Sequence, residues 1–259
     1  MSIRRWLVRV ALVSCILPVG CAGASSAGVA SAGVASSETK AHAETSYSAL
    51  NQVGTLDQLI RGRFDGTLPV GNVGQIGDFG LGTFNALDGE LTMLDGVVYQ
   101  FTSDGILHVA DRKTLIPFIA VSRFHSAQHV EITTAISGYP ALQAFITNSV
   151  PDQTRMFAIK VHGTFSSLKT RAPRRQTPPY VPLAEATKTQ VEFTHTNIQG
   201  TMVGFRLPAY LGTTNATGYH FHFVSDDHQK GGHVLDISTD SATVDVQTLD
   251  RLQLAVLQE

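Results

Sequence analysis

The sequence predicts an α+β protein of two tandem sheet-based units, with mixed β-sheets and a few helices. Three observations lead there. Asp88-Gly89 and Asp95-Gly96, with Asp104-Gly105 after them, bracket short apolar runs, which is the pattern of hairpins joined by tight turns. The stretch from Tyr139 to Asn148 places Leu142, Phe145 and Ile146 at helical spacing, with Pro140 where a first-turn proline is tolerated. A basic, proline-rich segment from Lys169 to Pro182 then separates two strand-rich regions, so the units are expected to divide near residue 185.

Residues 1–24 read as an export signal. Arg4 and Arg5 are the basic region, Trp6 to Val19 the apolar stretch, and Cys21-Ala22-Gly23-Ala24 the small-residue cleavage region. The apolar stretch is about 14 residues, short for a bilayer span, so no transmembrane segment is expected once the signal is removed. Two processing routes are open: cleavage after Ala24, or lipidation at Cys21 after an imperfect lipoprotein box, Leu17-Pro18-Val19-Gly20. The expected location is therefore the periplasm, the exterior, or a lipid anchor at the envelope. Both cysteines, Cys15 and Cys21, fall in this leader, so the folded part has neither disulfides nor thiolate ligands. Residues 25–46 are Ala, Gly, Ser and Val with the near-repeat Gly28-Val29-Ala30-Ser31 and Gly33-Val34-Ala35-Ser36, a flexible tether.

Residues 47–185 form the expected N-terminal α+β unit. Its strands are Gly80 to Phe84, a run around Glu90-Leu91, Val97 to Phe101, Val130 to Ile136 and Met156 to Val161. The Lys169 to Pro182 segment reads as a loop or crossing, because its prolines oppose regular structure. Residues 186–259 form the expected C-terminal β-rich unit, with strands at Val191 to Phe193, Thr201 to Arg206, Gly218 to Val224 and His233 to Ile237. Alternating or apolar sequence from Val244 to Leu257 closes it.

The chemistry concentrates in this second unit. In Tyr219-His220-Phe221-His222-Phe223, strand alternation sends His220 and His222 to one face and the aromatic rings to the other. Ser225 to Lys230 and Gly231-Gly232 read as a hairpin turn. If Ser225 pairs with Lys230, His222 lies directly opposite His233, with Cβ atoms about 5 Å apart on the same face. Three imidazoles on one face make a three-histidine metal site with a coordination position left for chemistry. Zinc is the first choice from ligand type, and Mn, Fe, Ni or Cu also suit imidazole. His228 at the turn tip is expected in solvent. His108, His125, His129, His162 and His195 lack paired spacing and are expected to be structural or exposed.

The bulk numbers exclude other classes. A net charge of −2 gives no attraction to nucleic acid or an anionic membrane, and 8% aromatic residues make no stacking platform. The barrel pattern of cupins wants a glutamate soon after His-x-His and a more distant third histidine, whereas His233 follows His222 within 11 residues.

Several blocks, in order, resemble the α-acetolactate decarboxylases. They are Gly77-Asp78-Phe79-Gly80-Leu81-Gly82-Thr83-Phe84, Leu87-Asp88-Gly89-Glu90-Leu91, Asp95-Gly96 to Tyr99-Gln100, and Gly163-Thr164-Phe165. Lys169-Thr170-Arg171, Pro178 to Leu183, Thr201 to Arg206, and Gly218 to Phe223 with Gly231 to Asp236 complete the set. The resemblance implies conversion of 2-acetolactate to acetoin and CO2, with a zinc ion chelating the ketone and hydroxyl oxygens and stabilising an enediolate. It implies metal ligands at His220, His222 and His233, catalytic roles for Glu90 and Arg171, and substrate contacts from Thr83 and Arg171. A homodimer is a candidate assembly. The family's C-terminal tail carries a second active-site glutamate, for which this sequence, running to Glu259, offers no matching position. The competing expectation is an exported metal-binding protein of the same fold with weak or no decarboxylase activity.

Overall fold

The computed structural model describes residues 48–257. The leader, the tether and the chain end at Glu259 lie outside the described residues. In chain order the elements are β1 (Ala49–Val53), α1 (Leu56–Ile60), β2 (Leu68–Pro69), α2 (Val70–Val73), β3 (Phe79–Thr83), β4 (Glu90–Leu94) and β5 (Val97–Phe101). Next come β6 (Leu107–Val109), β7 (Leu115–Ile116), β8 (Phe118–Ser122), β9 (Gln128–Ile132), β10 (Ile136–Ser137) and α3 (Tyr139–Ser149). The last group is β11 (Met156–Ala172), α4 (Leu183–Ala186), β12 (Val191–Leu207), β13 (Gly218–Ser225), β14 (Gly231–Leu249) and β15 (Arg251–Ala255). The class is α+β, as the hairpin signals and the single helical period indicate. No helix among the described residues is long and apolar enough to cross a membrane.

Two main sheets organise the chain. One is seven-stranded in the order β15-β1-β8-β3-β4-β5-β6. The other runs β10-β14-β11-β12-β13, with β9 on β14, and a further β13–β14 pairing closes the stretch from β14 to β13 on itself. Leu50, Phe79, Leu81 and Ala120 of the first sheet pack against Met156, Ala158, Val203 and Phe205 of the second. The opposite face of the second sheet buries Phe165, Phe221, Phe223 and Ile237 under α3, whose Leu142 and Ile146 are fully buried. Alternation along β13 therefore directs its phenylalanines into one core and its histidines toward the other sheet.

Two expectations need correcting. The division near residue 185 falls between β11 and β12, yet these strands pair from Phe157 opposite Arg206 to Ala172 opposite Val191. β15, from the chain's last described part, pairs in parallel with β1. The strands of the two expected units interleave, because partners far apart in sequence leave no local mark. Arg171, placed in a loop by the proline-rich context, is instead in a strand: β11 continues to Ala172, hydrogen-bonded to β12 and β14 on its two sides. The prolines act only from Pro173 onward, where the missing N–H ends the ladder.

Candidate metal centre

The site is built on one row of residues that crosses four strands. His222 of β13 stands opposite His233 of β14, His233 opposite Arg171 of β11, and Arg171 opposite Glu192 of β12. Directly paired residues share a face, so this register collects His222, His233 and Arg171 on the side turned to the first sheet. His220, two residues before His222, joins them. The turn closes as its sequence suggested, with Ser225 N–H donating to the Lys230 carbonyl at 2.9 Å.

Gly232 makes the approach of the strands possible. Its φ of +117° lies in a region that side chains disfavour, and a Cβ there would lie 2.8 Å from the Arg171 carbonyl oxygen and 3.0 Å from the Phe101 ring. Gly89, with φ +83°, makes the matching turn before Glu90; a Cβ there would meet the Phe101 carbonyl oxygen at 2.3 Å.

Nitrogen donors of His220, His222 and His233 lie within 4.8 Å of one another. Nε2 of His220 and Nδ1 of His233 are 3.1 Å apart. Two bonds of about 2.05 Å to one ion, at tetrahedral or right angles, would set nitrogens about 2.9–3.3 Å apart. Nδ1 of His222 donates to the Leu91 carbonyl at 2.7 Å, which leaves Nε2 with its lone pair free. Nδ1 of His220 is buried without a hydrogen-bond partner. Burial lowers the pKa of His220 to about 4, with the Arg171 charge adding to the effect. Burial, then the neighbouring imidazole of His220, hold His222 and His233 well below the ordinary histidine range. Three neutral imidazoles with converging lone pairs fit a divalent ion.

The first sheet supplies the carboxylate. Glu90, the first residue of β4, is 8% exposed, and its Oε2 is 3.4 Å from Nε2 of His222. Burial pushes its pKa up to about 8, against the opposing pull of Arg171. Glu90 therefore does not face water, as a hairpin residue after Asp-Gly would. Arg171 places Nη2 3.4 Å from Nε2 of His233 and donates from Nη1 to Oε1 of Gln190 at 2.6 Å, while its Nε is buried without a partner. Thr83 is buried, and its hydroxyl donates to the Gly89 carbonyl at 2.8 Å.

All six residues singled out from the sequence line one cavity of about 340 Å³. Leu56, Leu59, Leu87 and Phe118 supply apolar lining to the same cavity. Sequence reasoning missed Gln190, the Leu91 carbonyl and these leucines. A main-chain acceptor has no residue signature, and a lone glutamine before a strand has none either. Outside the cavity, His228 is exposed at the turn and lies 3.3 Å from the Tyr99 hydroxyl, and His129 pairs with Asp245 at 2.9 Å on the surface.

A profile of the alpha-acetolactate decarboxylase family matches residues 50–259. The alpha-acetolactate decarboxylase of Methanosarcina mazei is 38% identical over 207 residues, covering 79% of this chain and 72% of that one. That of Bacillus subtilis strain 168 is 35% identical over 211 residues, covering 80% and 81%. The crystal structure of alpha-acetolactate decarboxylase from the same Bacillus strain superposes with a TM-score of 0.79 at 34% identity, covering 82% of this chain and 90% of that one.

Proposed function

The chain belongs to the alpha-acetolactate decarboxylase family, and from that premise we propose that it converts 2-acetolactate to acetoin and CO2 with zinc held by His220, His222 and His233. The observation that carries this reading is the convergence of these donors with Glu90 and Arg171 on one half-apolar cavity.

The substrate is a β-keto acid and contains its own electron sink. The bond from C2 to the carboxylate breaks, its electron pair forms the C2–C3 double bond, and the ketone oxygen takes the negative charge as CO2 leaves. One proton added at C2 restores the ketone and gives acetoin. A bound divalent ion would supply positive charge at the ketone and hydroxyl oxygens, where charge builds in the transition state. Arg171, always charged and forked, binds the carboxylate and faces the negative charge that replaces it. Glu90, buried with its carboxyl 3.4 Å from Nε2 of His222, serves as the proton donor to C2. The Thr83 hydroxyl, its proton committed to Gly89, can accept a hydrogen bond from the substrate hydroxyl. Leu56, Leu59, Leu87 and Phe118 cover the two methyl groups and limit water at the reacting carbon. The basic and apolar leader supports export of the enzyme, testable by fractionating cells for the protein.

The deciding experiment is acetoin formation from racemic 2-acetolactate by zinc-loaded protein. Acetoin above the chelator-treated control is expected; none above it refutes the reading.

A further inference from the structure

Arg171 is a cation at the edge of a buried site, and among the described residues it makes no ion pair within 4 Å. Its one short contact is to a neutral amide: Nη1 donates to Oε1 of Gln190 at 2.6 Å. Gln190 follows a short 3₁₀ turn over Thr187–Thr189 and caps it, its N–H donating to the Thr187 carbonyl. The next residue, Val191, starts β12, so the backbone carrying this amide is fixed on both sides.

A carboxylate does stand nearby. Glu192 is directly opposite Arg171 in the β11–β12 register. It is engaged elsewhere: Lys169 Nζ lies 2.7 Å from its Oε2. The Lys169 hydrogen bond and charge are the main causes holding the Glu192 carboxyl below its usual range, with smaller contributions from a Gln190 hydrogen bond and, last, from the Arg171 charge. The Gln190 amide turns its carbonyl oxygen toward Arg171. Lys169 takes up the negative charge, and an uncharged acceptor is what reaches the guanidinium.

We propose that Gln190 is a positioning residue for the reaction: it fixes the Arg171 guanidinium while leaving its charge uncompensated for the substrate's carboxylate. The inference rests on the proposed function, in which Arg171 meets that carboxylate. A glutamate at 190 would hydrogen-bond arginine more strongly than the amide does, because charge-assisted bonds are the stronger ones. It would also occupy and neutralise the cation. The two roles, anchoring and neutrality, thus predict opposite outcomes for one substitution.

The test compares two unreactive ligands, measured calorimetrically on zinc-loaded protein. One is 2,3-dihydroxy-2-methylbutanoate, the substrate with its ketone reduced; the other is butane-2,3-diol, which has no carboxylate. In Gln190→Glu the affinity for the acid should fall at least tenfold while that for the diol stays within twofold. Gln190→Met, isosteric and uncharged, should lose less affinity for the acid than Gln190→Glu and again leave the diol unchanged. If Gln190→Glu does not fold, Gln190→Met decides alone, by a fall confined to the acid. Acid affinity that Gln190→Glu preserves, or equal losses for both ligands in either variant, would overturn the inference and leave the decarboxylase reading standing. A wild-type protein that prefers the diol to the acid would overturn both.

Discussion

Glu90 offers the sharpest test of the site's electrostatics, and it can be made without substrate. In chelator-stripped protein its folded pKa is about 8, against 4.5 for the ordinary carboxyl. A carboxyl raised in this way contributes its full stabilisation below pH 4.5, and the contribution is lost as pH rises through 8. The imidazoles act with the opposite sign at lower pH. With folded values of about 4 for His220, and well below 6.5 for His222 and His233, they make stability rise with pH until their unfolded value near 6.5 is passed. Between pH 6.5 and 8 the unfolded-state imidazoles still shed their remaining protons, equally in wild type and in Glu90→Gln, so the difference between the two proteins isolates Glu90. The limiting slope for one proton is about 1.4 kcal/mol per pH unit, and half-titration at the upper end reduces the loss over the window to about 1.5 kcal/mol. For a domain of this size that corresponds to roughly 3–6 °C in Tm. Thermal unfolding of the two stripped proteins should show wild type losing this amount relative to Glu90→Gln across the window. Parallel profiles for the two proteins would mean that Glu90 is already ionised at neutral pH, and its assignment as the proton donor would fail.

Three further substitutions address the remaining parts. His222→Ala should reduce bound metal from about one ion per chain to a small fraction and abolish acetoin formation with it, checked by elemental analysis and a product assay; retained metal would refute its role as a ligand. Arg171→Lys keeps the charge but loses the fork that reaches both Gln190 and a carboxylate, so KM for acetolactate should rise about tenfold or more in steady-state kinetics. Gly232→Ala places a Cβ 2.8 Å from the Arg171 carbonyl oxygen at a φ of +117°, and chemical denaturation should show a loss of about 2–3 kcal/mol together with weaker metal binding.

The part of the site that could be read from sequence is the part governed by strand periodicity. His220 and His222 share a face because they are two apart, and the Ser225–Lys230 turn places His233 opposite His222, as the register confirms. The helix over Tyr139–Ser149 was equally legible, since Leu142 and Ile146 mark its buried face. Local composition places Arg171 in a loop, because it counts only the neighbouring prolines and arginines. What decides its conformation is pairing with β12 and β14, whose partners, Glu192 and His233, lie 21 and 62 residues away (192 − 171 and 233 − 171). The same non-local pairing conceals the interleaving of the sheets. The burial of Glu90 depends on packing against the second sheet, a tertiary fact that Asp88-Gly89, a turn signal, cannot carry.

That packing bears on how the site is held. The imidazoles belong to the second sheet, whereas Glu90, Thr83 and the Leu91 carbonyl belong to the first. The hydrogen bond from His222 to Leu91 spans the seam, and it sets the tautomer that leaves Nε2 free for an ion. A shift of one sheet against the other would break this bond and carry Glu90 away from the imidazoles in the same motion. The Phe79, Phe205 and Leu81 contacts between the sheets, fully or almost fully buried, oppose such a shift because close-packed interiors do not slide in small increments. The inter-sheet core thus acts on catalysis through geometry. A cavity opened there, as by Phe205→Ala, should lower metal affinity and turnover although Phe205 is not itself a ligand, because it stands directly opposite His220 in the β12–β13 register. Core truncations of phenylalanine cost about 3–5 kcal/mol. The comparison must therefore be made at a temperature where the variant is still folded, with metal content and acetoin formation read on the same sample. Unchanged metal affinity in a folded Phe205→Ala protein would show that the hairpin alone positions the ligands.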